Sequence, residues 1–100
     1  MAFEVIWTEL ALEDVESIIN YLTENWSDKI ANEFNEILID HLKMISDAPF
    51  AGIASSKEDK VRKILVTKHN ALYYRIEVQK IVLLGFFDTR MNPNTNKFEH

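Results

Sequence analysis

Val61 to Pro93, VRKILVTKHNALYYRIEVQKIVLLGFFDTRMNP, decides the fold. Val61 to Val66, Ala71 to Val78 and Ile81 to Phe87 are three runs rich in β-branched and aromatic residues, parted by Thr67-Lys68-His69-Asn70 and by Gln79-Lys80. Links this short join antiparallel strands, because parallel neighbours need a long crossover. The stretch therefore predicts a three-stranded meander. On its middle strand a period of two puts Tyr74, Ile76 and Val78 on one face and Tyr73, Arg75 and Glu77 on the other. One face suits packing against helices, and the other is offered to water or a partner.

Upstream, Phe3, Val5 and Trp7 alternate as in a strand. Thr8 then reads as an N-cap, since its hydroxyl can accept a free N–H of the following turn, and Glu9, Glu13 and Asp14 suit the positive end of a helix dipole. Ala11, Val15, Ile18, Ile19, Leu22 and Trp26 follow at helical spacing, giving an amphipathic helix of about four turns. Ser27 or Asp28 caps a second helix with its stripe at Ile30, Phe34, Ile37, Leu38, His41, Leu42 and Ile45, and Asp47-Ala48-Pro49 ends it. Two helices joined by so few residues are antiparallel neighbours. The order β-α-α-β-β-β is an α+β domain, a helical hairpin laid on a small sheet. The domain is expected over residues 1–93. Residues 94–100 form a tail whose Asn/Thr-rich composition predicts fraying unless something holds it.

Composition narrows the function. With 100 residues, 47% hydrophobic and 27% charged, the chain has the make-up of one globular domain. No cysteine is present, which removes disulfides, thiolate metal sites and a thiol nucleophile. The longest apolar run, Ile81 to Phe87, falls far short of the ~20 residues of a membrane-spanning helix. MAFEVIWTEL carries acids and no base, the wrong charge for a targeting signal, so a cytoplasmic protein without membrane partners is expected. Met1 to Asp59 holds 3 Lys/Arg and 13 Asp/Glu, whereas Lys60 to His100 holds 8 and 3. The acidic front half argues against nonspecific coating of nucleic acid, which needs many phosphates neutralised. A local basic surface on the back half remains open.

The motif search is mostly negative: no Gly-rich phosphate loop, no HExxH, no EF-hand and no GxSxG. His41, His69 and His100 are scattered over a helix, a hairpin and the terminus, so neither a metal site nor a cofactor is expected. What remains is Arg62, Lys63, Lys68, His69, Tyr73, Arg75 and Arg90 on the three strands and their edges. Cations beside phenols suit phosphate and base contacts. Against this stands a plainer reading, in which Tyr74 is core, Arg75 pairs with Glu77 and Asp88 holds Arg90.

From Glu4 to Pro93 the chain resembles the RelE/ParE superfamily of toxins from bacterial type II toxin–antitoxin systems. The resemblance rests on Val5-Ile6-Trp7-Thr8, on Asp14 to Leu22 (DVESIINYL), on Asp47-Ala48-Pro49, Val61-Arg62 and Tyr73-Tyr74-Arg75-Ile76, and on Asp88-Thr89-Arg90-Met91-Asn92-Pro93. It implies the fold just derived and a cognate antitoxin that wraps the toxin, in a hetero-oligomer or beside a toxin homodimer. It also implies one of two targets. RelE-like members cut mRNA on the ribosome without metal; ParE-like members bind and poison DNA gyrase. In a ribonuclease Arg62, Lys63 and Arg90 would be catalytic, holding phosphate with Lys68 or His69 as proton carrier. In a binding toxin Arg62, Lys68, His69, Tyr73, Arg75 and Arg90 would form the contact surface. The Arg that RelE-like enzymes carry two residues before the Tyr matching Tyr74 is here Leu72, and no Tyr follows Arg90. Those departures favour the ParE-like branch. An inactive, partner-binding relative is the third reading.

Overall fold

Thr8 and Ser27 start the two helices through their side chains: Thr8 Oγ1 accepts the Ala11 amide at 3.2 Å and Ser27 Oγ accepts that of Ile30 at 3.2 Å. In the computed structural model, which describes residues 2–56 and 58–99, the helices are α1 (Glu9–Asn25) and α2 (Asp28–Asp47). Met1, Lys57 and His100 lie outside the described residues, and the terminal histidine weighed above with them. Only Trp26 and Ser27 separate the helices, so they form the expected hairpin. Trp26, expected on the buried stripe of the first helix, instead lies in this link and is exposed.

The sheet is larger than the meander. Strands β1 (Glu4–Trp7), β2 (Ile53–Ala54), β3 (Val61–Thr67), β4 (Asn70–Glu77) and β5 (Lys80–Asp88) lie in the order β1-β5-β4-β3-β2. β3, β4 and β5 are the predicted antiparallel meander, while β1 runs parallel to β5 with Val5 opposite Ile81. The helical hairpin supplies the crossover that such a parallel pair requires. Val78, expected on the middle strand, belongs to the tight turn with Gln79, which takes a φ of 58°. On β5 one extra residue, Leu84, interrupts the ladder: Tyr73 faces Gly85 and Tyr74 faces Leu83.

Helices cover one face of the sheet. Ala11, Val15, Phe34, Leu38 and Ile45 pack there on Ile64, Val66, Leu72, Tyr74, Ile76, Ile81 and Leu83. Tyr74 is fully buried, and its hydroxyl donates to Pro49 O at 2.7 Å and accepts from Gly52 N at 3.1 Å. A Cβ at Gly52 would collide with that hydroxyl and approach Lys63 O at 2.8 Å.

The opposite face, expected to be open, is partly closed. Val61, Ala71 and Tyr73 form a second cluster with Leu84, Phe87 and Phe98. The cover comes from the tail: after a 3-10 turn at Pro93–Thr95, Phe98 stacks on Tyr73 with ring centroids 4.7 Å apart. Ser55 Oγ donates to Phe98 O, and the amide and hydroxyl of Ser56 both donate to Glu99. Composition predicted fraying because it weighs the Asn and Thr residues and misses one aromatic ring and one carboxylate placed over a sheet face.

Candidate functional site

Where α1 and α2 approach the β3–β4 turn and the end of β5, they enclose an open groove of about 780 Å³. Tyr21, Leu22 and Trp26 from α1 and Ile30, Phe34 and Ile37 from α2 make its apolar walls, and His69, Asp88 and Arg90 close the sheet end. Concave, largely apolar surfaces with a few convergent polar groups are where proteins bind partners.

The structure divides the sequence-predicted residues into three places. Lys68, His69 and Arg90 meet at one end of the sheet, because Thr89 ties the segment after β5 to the β3–β4 turn through Thr89 N to His69 O and Thr89 Oγ1 to Lys68 O. Arg90 is held at 2.8 Å and 3.0 Å by both carboxylate oxygens of Asp88. The Arg90 guanidinium in turn keeps the Asp88 carboxyl below its ordinary range. Arg62 lies toward the other end, on the helix-covered face. It donates to Gly52 O at 3.0 Å, pairs with Asp59 at 3.2 Å, and sits 4.8 Å above the Phe50 ring. Its side chain is only 16% exposed, so it clamps the loop after α2.

Lys63, next along β3, points to the tail-covered face and reaches Glu99 at 3.7 Å. Tyr73 is buried there, donating to Glu99 Oε2 at 2.8 Å and accepting from Asn96 Nδ2 at 3.1 Å. Burial first, and then the bond to Glu99, push the Tyr73 hydroxyl up to about 12. Burial of Glu99 opposes its ionisation, but the Ser56 amide, the Tyr73 and Ser56 hydroxyls and Lys63 outweigh it and hold its pKa at about 2. Arg75 pairs with Glu77 at 2.8 Å, as the plainer reading expected. Among the described residues no group of three His, Asp or Glu side chains is gathered for a metal ion, and no helix is long and apolar enough to cross a membrane.

Sequence reasoning missed Tyr21 and Glu33 as groove residues. Both sit on exposed helix faces, where one sequence gives no reason to prefer them over their neighbours. The signal that could have found them is the spacing of Tyr21, Trp26, Ile30 and Ile37, more apolar surface than one core-facing stripe per helix requires.

A helical hairpin packed across a β1-β5-β4-β3 sheet, with a groove beside it, is the α+β architecture of small bacterial toxins of the RelE/ParE type. The chain belongs to the ParE toxin family of type II toxin–antitoxin systems, whose description as the parDE toxin matches residues 5–93. Solved structures with this fold include the chromosomal ParDE toxin–antitoxin system from P. aeruginosa (TM-score 0.72, 16% identity, covering 87% of this chain and 96% of that one). A YoeB/ParE toxin from Agrobacterium tumefaciens is similar at a TM-score of 0.61 and 14% identity, covering 85% of this chain and 97% of that one. A conserved hypothetical protein from Helicobacter pylori, known from a solution structure, follows at 0.57 and 19%, covering 88% and 96%. No curated protein sequence matches the chain. Family membership makes the protein the toxin of a toxin–antitoxin pair, and thus the partner of an antitoxin.

Proposed function

We propose that the protein arrests growth by binding DNA gyrase, in the manner of the ParE-like branch, rather than by cutting RNA. The observation that carries this reading is the separation of the three cations a ribonuclease would use. Arg62 and Lys63 are consecutive on β3, so their side chains leave opposite faces of the sheet. Arg90 follows the end of β5, where Asn70 faces Asp88, whereas Arg62 faces Tyr74; those four positions along β4 amount to about 13 Å. Each of the three also holds its own carboxylate. Stabilising charge on one phosphate needs donors converging within hydrogen-bond reach of it, and this set does not converge.

His69 and Arg90 line the groove, with Lys68 next along the β3–β4 turn, and Lys68 and Arg90 supply the cationic part of the proposed contact surface. Induced expression of the wild type in a sensitive bacterium, with translation and DNA supercoiling followed separately, tests the reading. Gyrase-linked DNA breaks and SOS induction, with translation initially intact, are expected. An immediate stop in translation with mRNA cut within codons would overturn the proposal in favour of the ribonuclease.

A further inference from the structure

The tail lies in a cradle that the rest of the chain builds without it. Tyr73 stands on the middle strand of the meander with Lys63 opposite it on β3, and Ser55 and Ser56 follow β2, where the Ser55 amide is fixed by Val61 O at 2.7 Å. One carboxylate oxygen of Glu99 accepts from the Ser56 amide at 2.8 Å and the Ser56 hydroxyl at 2.9 Å. The other accepts from the Tyr73 hydroxyl at 2.8 Å and lies 3.7 Å from Lys63 Nζ. Donors gathered in this way select a charged acceptor over a neutral one. Beside them Phe98 stacks on Tyr73, and Gly85, which faces Tyr73 across the ladder, leaves the space the ring fills, since a Cβ there would lie 2.8 Å from it. Val61, Ala71, Leu84 and Phe87 complete an apolar floor. A slot for a ring thus adjoins a cradle for a carboxylate.

The tail is gripped at Asn96, Phe98 and Glu99, whereas Arg90 to Thr95 are all exposed. Segments of that kind open at low free energy, and the strands beneath keep their pairing when this one does, because β3, β4 and β5 pair with one another and β2 with β3. Arg75, two residues and about 7 Å along β4 from Tyr73 on the same face, is 41% exposed, and its surface pair with Glu77 is a weak one. Residues 93–99 carry a single acid, Glu99, already in the cradle. A segment with further acids meets Arg75 as well. We infer that this sheet face is a binding site for an extended segment of another protein that presents an aromatic residue followed by acidic ones, with Phe98-Glu99 as its resident occupant. The Ser55 hydroxyl donates to the Phe98 carbonyl, so the site reads a peptide backbone too, which favours a peptide over a nucleic acid. A second copy of the chain brings only the same single acid and loses the advantage of the tether. The tethered tail, at an effective concentration of about millimolar, keeps weak binders out. The face lies across the sheet from the helices, and the groove takes no part in it.

Titration of the full chain with a labelled synthetic peptide, NTNKFEEE with both ends blocked, tests this by fluorescence anisotropy. The variant Phe98→Ala with Glu99→Gln, its circular dichroism spectrum unchanged, is expected to bind the peptide saturably and about tenfold or more tighter than the wild type does. The single variant Glu99→Gln, which keeps the ring in place, is expected to fall between the two. Replacing the peptide's Phe by Ala, or its Glu residues by Gln, is expected to weaken binding about tenfold, as is adding Lys63→Glu to the double variant. Equal binding by the wild type and both variants would overturn the inference, as would failure of the folded variants to bind or equal binding of the altered peptides. A short oligouridylate that binds more tightly than the peptide would assign the face to nucleic acid and overturn it. Concentration-dependent self-association of the wild type, abolished by Phe98→Ala, would assign it to a second copy and overturn it too.

Discussion

Asp14, one and a half turns into α1, accepts the backbone amide of Phe86 at 2.9 Å across 72 residues of sequence. β1 ends opposite Leu83, and the extra residue Leu84 then turns β5 away from it, so the Phe86 amide has no strand to bond. The carboxylate stands in for the missing strand. Gly85 makes room for this contact, since a Cβ there would lie 2.8 Å from Asp14 Oδ2 and 2.8 Å from the Phe98 ring.

Asp14→Ala leaves that partly buried amide unpaired and is expected to cost about 1–2 kcal/mol in urea denaturation. Asp14→Asn, which keeps an acceptor, is expected to lose less. Equal stability of Asp14→Ala and the wild type would show that water replaces the carboxylate at no cost.

Tyr74→Phe removes the one hydroxyl that satisfies both Pro49 O and Gly52 N. A loss of about 1–2 kcal/mol is expected from the same measurement. Gly52→Ala is expected to do at least as much damage, because the Tyr74 hydroxyl and Lys63 O occupy the space of the new methyl group.

The tail hydrogen bond between Tyr73 and Glu99 gives stability a limit at each end of the pH scale. The Glu99 pKa falls from 4.5 to about 2 on folding, so its contribution is complete above pH 4.5 and is lost as pH falls toward 2. The Tyr73 pKa rises from 10.0 to about 12, so its contribution is complete below pH 10 and is lost as pH climbs toward 12. The gap in stability between the wild type and Glu99→Gln is expected to narrow across the acid window, and the gap to Tyr73→Phe across the alkaline one. A gap independent of pH in either window would dissociate that residue from the bond.

Arg90→Ala removes an exposed ion pair with Asp88 and is expected to leave the unfolding midpoint where it was. Inhibition of growth should then weaken only modestly, as for one contact among several. A loss of about two orders of magnitude or more with folding intact would instead fit a group that stabilises a transition state.

Both helices and the meander were legible because their periods, 3.6 and 2, are written in the apolar positions, and the caps at Thr8 and Ser27 have side chains that announce them. The partner of β1 was not, since alternation in Phe3, Val5 and Trp7 fixes a face and says nothing about which strand lies alongside. β2 is two residues long, too short for any period. At the site, the residue types were legible and their company was not. Period two did separate Tyr74, in the helix-covered core, from Tyr73 on the other face, but no local rule connects Tyr73 to Phe98, which roofs it. The pair Arg75–Glu77 was readable because partners two apart on extended chain share a side, and Asp88–Arg90 because an Asp that opens a turn accepts the amide two residues on, which brings the Arg90 side chain to the same carboxylate.

The parallel seat of β1 beside β5 sets a timetable. The strand Glu4–Trp7 has no neighbour in the sheet until Lys80–Asp88 has been made. At synthesis speeds of roughly 5–20 residues per second, the N-terminal strand and helices wait several seconds for the hairpin that completes their sheet. A toxin of this fold thus cannot close its sheet until its fifth strand has been made, leaving an interval in which a neutralising partner already present can meet the chain as it closes.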